Sequence, residues 1–88
     1  MPEPAALTAI DIPALVREIR KSRQMTQEQL ARELQVTFST VNGWENGKHR
    51  PIPVLARKLV ELAEAADIPP IRYRSTAARA VRQTRRRR

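Results

Sequence analysis

The sequence predicts an all-α fold, a small bundle of four or five short helices followed by a basic C-terminal tail. Apolar residues recur at helical spacing in four successive segments, and no segment alternates apolar and polar residues as a strand does. Capping residues, Gly or Pro bound each segment. We therefore expect one helical domain over residues 11–68, between a flexible segment at 1–10 and an Arg-rich tail at 69–88.

Caps and apolar stripes predict the first two helices. Pro13 is tolerated in the first turn of a helix at residues 11–24, whose stripe is Ile12, Leu15, Val16 and Ile19. Thr26 begins the second helix, and Gln29 three residues later completes the pattern of a capping box. The inner stripe of this second helix is Leu30, Ala31 and Leu34.

The third and fourth helices follow from similar signals. Thr37 is a favourable N-cap for the third helix, and Gly47 suits the position after its end. Val41 and Trp44 face inward between those limits. A fourth helix is expected at residues 54–66, with one face formed by Leu55, Leu59 and Leu62 and with Val60 and Ala63 near it. Nothing after its stop at residues 67–70 is expected to join the core.

The net charge of +8 is concentrated at the C-terminus. Residues 1–67 carry nine basic and nine acidic residues, and the rest of the chain has eight arginines and no acid. A neutral body with a cationic tail favours a polyanionic partner, above all nucleic acid. The alternative is a solubilising tail without a specific role.

The composition gives no support for an enzyme, a metal site or a bound cofactor. There is no cysteine, one histidine, and only two glycines, so zinc sites, thiol chemistry and glycine-rich phosphate loops are not expected. The N-terminal residues do not resemble a secretory signal, and no apolar run approaches the roughly 20 residues that span a bilayer. The expected location is the cytoplasm, at the nucleoid and away from membranes.

Three runs of residues carry a resemblance to a known family: Thr26-Gln27-Glu28-x-Leu30-Ala31, Val36-Thr37-x-Ser39-Thr40-Val41 and Trp44-Glu45-Asn46-Gly47-Lys48, with Pro51 after them. On these motifs residues 16–66 resemble the Xre/Cro family of helix-turn-helix DNA-binding domains, the phage-repressor type. The resemblance implies that residues 37–46 form a recognition helix that enters the major groove of double-stranded DNA.

The resemblance also implies site residues. Base edges would be read by Thr37, Phe38, Ser39, Asn42 and Gly43. Phosphates would be bound by Gln27, Asn46, Lys48 and Arg50. Arg20 and Glu45 would form a buried ion pair that ties helices together.

Other readings of these residues stay open. Asn42 suits a bidentate contact with adenine, but it can also be a solvated polar residue. Phe38 can pack on thymine methyl groups or lie beneath the turn as part of the core. Gln27, Lys48 and Arg50 can be ordinary surface residues.

The chain departs from the family pattern in three places. Gln35 occupies a turn position where the family favours glycine, which costs about 1 kcal/mol if the backbone is left-handed. Gly43 replaces a long polar residue, so either the backbone approaches the DNA closely there or fewer bases are read. The fifth helix of many relatives is not evident.

The leading functional hypothesis is a sequence-specific regulator, a repressor, whose two copies bind a pseudo-palindrome with half-sites about 34–36 Å apart. The alternative is an antitoxin-like or adaptor subunit that recruits a protein partner to DNA. A third, weaker reading is a non-specific nucleic-acid coat protein driven by the tail.

Overall fold

The computed structural model describes residues 9–74, which form four α-helices and one turn of 3-10 helix. They are α1 (Ile12–Arg23), α2 (Gln27–Leu34), α3 (Phe38–Glu45), α4 (Pro53–Ala65) and the 3-10 helix (Pro70–Tyr73). Within this range no strand forms, and an isolated bridge joins Ile10 to Arg74. The predicted all-α class is confirmed. Most of the two predicted terminal segments, at 1–8 and 75–88, lies outside the described residues.

Side-chain caps fix where the first three helices begin. The Asp11 carboxylate accepts a hydrogen bond from a backbone N–H in the first turn of α1. Thr26 and Gln29 form the predicted capping box at α2, with reciprocal bonds of 3.0 and 2.8 Å. The Thr37 hydroxyl accepts from the Thr40 N–H at the start of α3. These caps satisfy N–H groups that a helix start otherwise leaves open.

All four α-helices end in the same type of turn. One left-handed residue follows each helix, with φ between 55° and 71°: Gln24, Gln35, Gly47 and Asp67. The N–H of the next residue then bonds the carbonyl five positions before it at 2.9 to 3.0 Å, as in a Schellman motif. After α1, α2 and α4 that next residue is apolar and packs on the core: Met25, Val36 and Ile68. After α3 it is Lys48.

The core lies along α1, which packs against α3, α4 and the 3-10 helix, while α2 packs against α3. Its fully buried side chains come from all four helices, among them Leu15, Ile19, Leu30, Val41, Trp44 and Leu59. The buried face of α4 differs from the predicted one. Ala56 and Ala63 are buried beside Leu59, whereas Leu55 and Leu62 are only partly buried. The small alanines face α1, so the helix is rotated relative to the leucine stripe.

The packed region extends past residue 68, where the predicted domain ends. Tyr73 is only 5% exposed, and its carbonyl accepts from the Asp11 N–H at 2.8 Å. Ile68 is also buried, and Arg72 lies 3.7 Å from the Glu18 carboxylate. The expectation that nothing after α4 would join the core therefore does not hold. Tyr73 is a single aromatic residue after two prolines, so no apolar periodicity predicts its burial. It is buried because the 3-10 helix packs against α1.

In the part of the chain that the structure describes, no helix has the length and apolar character needed to cross a membrane.

Candidate nucleic-acid interface

The outer side of α3 is open to solvent at both of its ends. Val41 and Trp44 fix the inner side, so at 3.6 residues per turn the opposite side carries Ser39, Gly43 and Asn46. At the beginning of the helix, Thr37, Phe38 and Ser39 are all exposed. Phe38 is 48% exposed, so it is not a core residue beneath the turn. A short helix with this arrangement presents hydroxyl, amide and aromatic groups in one surface.

Asn42 is the centre of a small amide network at the edge of that surface. Its Nδ2 donates to Gln27 Oε1 at 3.1 Å, which links α3 to the start of α2. The Asn46 Nδ2 donates to both the side-chain oxygen and the backbone carbonyl of Asn42, each at 2.9 Å. Asn42 is therefore held from both sides and is half-buried. Its side-chain orientation is set before any ligand arrives.

The network leaves Asn42 with hydrogen-bonding capacity. A carboxamide has two N–H donors and two oxygen lone pairs, and the contacts with Gln27 and Asn46 use one donor and one lone pair. One donor and one acceptor remain. These are the two groups that a bidentate contact with adenine N7 and N6 requires.

Gln27, which the resemblance implies would hold a phosphate with its side chain and backbone N–H, lies at the start of α2 next to α3. Its side chain is half-buried and accepts from the Asn42 Nδ2. It is also among the groups that lower the pKa of Glu45. The backbone N–H groups of this first turn remain the phosphate-binding feature that the helix start provides.

The Arg20 and Glu45 side chains form an ion pair between α1 and the end of α3. Arg20 Nε lies 2.5 Å from Glu45 Oε2, and Arg20 Nη2 lies 3.1 Å from Glu45 Oε1. Arg20 also donates to the Met25 carbonyl, and Arg17 donates to the Glu45 carbonyl at 2.8 Å. Glu45 is only 5% exposed, so this bidentate pair fixes the end of α3 against α1.

The protein environment favours the charged form of Glu45. Burial raises the pKa of this carboxyl. Hydrogen bonds from Arg20 and Gln27 and the positive charges of Arg20 and Arg17 lower the pKa, and together they outweigh burial. The net pKa of Glu45 lies below its usual value. The hydrogen bond to Glu45 is likewise the main cause of the raised pKa of Arg20.

Gly43 is not open to solvent, although the sequence places it on the outer side of α3. The imidazole of His49 covers it, and a Cβ built on Gly43 would lie within 2.8 and 2.9 Å of two ring carbons and closer still to Nε2. A base edge therefore cannot approach the Gly43 backbone directly in this conformation. Gly43 therefore lies on the outer side of α3 but is not exposed, because His49, six residues later in the chain, covers it.

Two cationic residues, Lys48 and Arg50, lie on the exposed loop that leads from α3 to α4. His49 between them is also exposed, as is Asn46 at the end of α3. The Arg50 Nη1 donates to the Ile10 carbonyl at 3.2 Å, so this loop is joined to the N-terminal edge of the domain. The loop adds positive charge beside the outer side of α3.

Two contacts at this surface could not be predicted from the sequence, although His49 itself was a candidate to enter a groove. Arg17 lies one turn before Arg20 on α1, and this spacing is the only signal that it could share Glu45. His49 covers Gly43 because of the turn after α3, and no spacing rule for regular helices brings these two residues together.

Comparison with known families gave one finding. Residues 16–71 match the family model described as helix-turn-helix. No match was found among curated proteins or among solved structures. The matched region includes most of α1, all of α2, α3 and α4, and the turn on which the outer side of α3 depends.

Proposed function

The chain belongs to the Xre/Cro-type helix-turn-helix family of DNA-binding domains, and from this membership we propose that it binds a specific double-stranded site and represses transcription there. The observation that carries the proposal is the open outer side of α3, on which Asn42 retains one donor and one acceptor. The helix is held by α1 through Glu45 and by α2 through Gln27. It can therefore enter a major groove without rearrangement of the domain.

Phosphate contacts would position this helix on the duplex. The first turn of α2 offers backbone N–H groups, and Lys48 and Arg50 offer exposed cationic side chains. Asn46 lies at the end of α3 between these groups and the bases. Such contacts contribute affinity for any sequence, whereas Asn42, Ser39, Thr37 and Phe38 would supply the preference.

The arginine tail would extend the phosphate-binding surface. Arg74, the last described residue, forms the bridge with Ile10, and the Ile10 carbonyl accepts from Arg50. The described part of the chain therefore ends near the loop proposed to contact phosphates. Its arginines would raise affinity without altering the preferred site: Arg79, Arg82, Arg85, Arg86, Arg87 and Arg88.

We further propose that two copies occupy each site. One recognition helix reads only a few base pairs, and a pair of half-sites about one helical turn apart gives the needed selectivity. Ile52 and Val54, near the start of α4, are 60% and 68% exposed and offer apolar contact area. Sedimentation equilibrium on a selected duplex measures the number of protein copies bound per duplex. Wild-type protein is compared with Val54→Glu, which places a charge in the proposed apolar contact. Two copies per duplex support the proposal, and a single copy that saturates the site contradicts it.

The decisive experiment is selection of binding sites from random duplex DNA at two salt concentrations. A preferred sequence that survives at the higher salt, with a pseudo-palindromic arrangement, supports a specific regulator. Equal recovery of all sequences contradicts it and favours the non-specific coat protein.

A second candidate function is an antitoxin-like or adaptor subunit. The exposed Ile52 and Val54 also suit a protein partner that is not a second copy. Pull-down from the native cell after nuclease treatment discriminates between the two. A stoichiometric protein partner that Val54→Glu releases favours the adaptor, while self-association alone favours the homodimer.

A further inference from the structure

We propose that the His49 imidazole is a base-reading group of α3 and takes the place of the side chain that Gly43 lacks. This inference rests on the proposed DNA-binding function and adds a specificity-determining residue to it. The resemblance to the family placed reading groups only on α3 itself and offered no role for His49.

The ring lies over the outer side of α3 with one nitrogen towards the helix. Of all side-chain atoms near Gly43, the closest is His49 Nε2, and the ring carbons on either side of it follow at 2.8 and 2.9 Å from the built Cβ. The ring thus approaches Gly43 through its Nε2 tip, which leaves Nδ1 on the opposite edge. His49 is nevertheless exposed, so one part of the ring contacts α3 while the remainder faces solvent.

The turn after α3 explains why His49 arrives there. Gly47 adopts φ +71°, and the Lys48 N–H bonds the Gly43 carbonyl at 2.9 Å. This bond brings the chain back to Gly43, and His49 is the next residue. In the other three helices an apolar residue in the position of Lys48 covers the last turn. Here Lys48 is exposed, and His49 provides the cover.

The absence of a side chain at residue 43 is then a condition for this arrangement. Glycine weakens a helix interior relative to alanine, so its presence in α3 needs a compensating reason. Any Cβ at this position would overlap the imidazole, and the ring would have to leave. Gly43 and His49 therefore act as a pair. His49 in the loop supplies the reading group, and Gly43 in α3 leaves the space that the imidazole occupies.

The chemistry of the pair indicates the base edge it suits. A base pair that approaches α3 at residue 43 meets the imidazole before it meets the helix backbone. A ring N–H of histidine can donate to the N7 and O6 acceptors that guanine presents in the major groove. Ser39 lies one turn earlier on the same side of α3, and Asn42 is adjacent, so this contact would extend the read sequence by one base pair.

The reading role is tested with duplexes that carry each base pair in turn at every position of the selected site. Full-length wild-type protein and His49→Ala are compared by competition binding. We expect His49→Ala to lose about tenfold discrimination at one position, at which wild type prefers guanine, and to keep the other preferences. Lys48→Ala is the matched control, because loss of a phosphate contact should weaken binding to all sequences about equally.

Four results would overturn the proposal. Unchanged preferences in His49→Ala would show that the ring reads nothing. An equal loss for every sequence would make His49 a phosphate contact, and an equal gain would make it a cover that obstructs α3. A wild-type protein without any preferred site would reject the reading role and the proposed function together.

The contact itself is tested without DNA, so that its failure can be separated from failure of the function. Gly43→Ala is made in wild type and in His49→Ala, and the urea midpoints of unfolding are compared. We expect the alanine to raise the midpoint less when His49 is present than when it is absent, because displacement of the ring offsets part of the gain in helix propensity. A rise of equal size in both backgrounds would show that the ring does not occupy this place.

Discussion

Glu45 joins three elements through one carboxylate. It lies at the end of α3 and pairs with Arg20 on α1, and the Gln27 side chain on α2 helps to lower its pKa. The pairing of Arg20 with Glu45 could be predicted from the family resemblance. The contribution of Gln27 could not, because its side chain was free to extend towards a phosphate until the geometry of α2 and α3 was known. The recognition surface therefore rests on a buried charge.

Removal of this carboxylate should destabilise the domain. Glu45→Ala leaves Arg20 without its main partner, and we expect a loss of about 2–3 kcal/mol in the free energy of unfolding. The value lies below that of a fully buried pair because the Arg20 side chain is 26% exposed. Glu33→Ala is the control, since its pair with Arg23 is more exposed and should contribute under about 1 kcal/mol. Urea unfolding of both variants gives the comparison, and equal losses would contradict it.

The lowered pKa of Glu45 gives a pH dependence with a definite sign. A depressed carboxyl pKa means that the unfolded state binds the proton more readily. The stabilisation is therefore complete above the usual Glu value of 4.5 and is lost as pH falls through the lower folded pKa. Unfolding free energies measured from pH 6 downwards should fall more steeply in wild type than in Glu45→Gln. Parallel curves would show that Glu45 is not shifted.

Asn42 and Gly43 show how far single residues could be predicted. The chemistry of Asn42 follows from its residue type, but its two amide neighbours follow from the packing of α2 on α3. The family resemblance implied that Gly43 lies on the outer, base-reading face of α3, and helical phase agrees with that placement. The phase was correct, yet His49 covers the position, and helical phase carries no information about a residue in the next loop.

The helices of this domain have similar ends. The left-handed backbone at Gly47 and the strained turn at Gln35 could be expected from the sequence, since glycine or the family pattern indicates such a conformation. The same conformation at Gln24 and Asp67 has no such signal. These two residues accept the strain because the Schellman bond brings Met25 and Ile68 onto the core.

Relief of one strained turn should stabilise the domain. Gln35 is exposed with φ 60°, so Gln35→Gly removes the strain and we expect a gain of about 0.5–1 kcal/mol after the entropy cost of glycine. Ala66 follows α4 with φ −94°, and Ala66→Gly should therefore lower stability. Thermal unfolding measures both signs. A loss of stability in Gln35→Gly would mean that the left-handed turn is not strained.

At the scale of the whole domain, apolar periodicity predicted the number and order of the helices. It did not predict that α4 buries Ala56 more fully than Leu55 and Leu62, because the rotation of a helix about its axis depends on the helix it packs against. It also did not predict the packing of Tyr73 against α1, which places the described end of the chain beside its beginning. Contacts between distant parts of the sequence produce no apolar periodicity, so they cannot be predicted from it.

Tyr73 should stabilise the domain despite its position after the last α-helix. Tyr73→Ala removes a buried aromatic side chain, and we expect a loss of about 3 kcal/mol. Ile71→Ala, at a neighbouring side chain that is 67% exposed, should change stability by less than about 0.5 kcal/mol. Chemical denaturation of the two variants tests the boundary. Equally small changes in the free energy of unfolding for both variants would show that the stable domain ends at residue 68.

The tail should govern the salt dependence of DNA binding and leave the preference unchanged. A chain that ends at Arg74 keeps Tyr73 and the bridge to Ile10 but loses six arginines. Each phosphate contact contributes about 0.9 to the slope of log affinity against log salt, so the slope should fall by up to about 5. Fluorescence anisotropy over a salt series measures the slope. A changed site preference in the shortened chain would contradict this division of roles.

The most direct measurement is an amide chemical-shift map of the full chain titrated with a selected duplex. The account predicts the largest changes at Thr37, Ser39, Asn42 and Gly43 on the outer side of α3, with others at the first turn of α2 and at Lys48. Amides on α4 far from the loop should move little. Large changes confined to α1 and α4, with the outer side of α3 unaffected, would show that this surface is not what the DNA contacts.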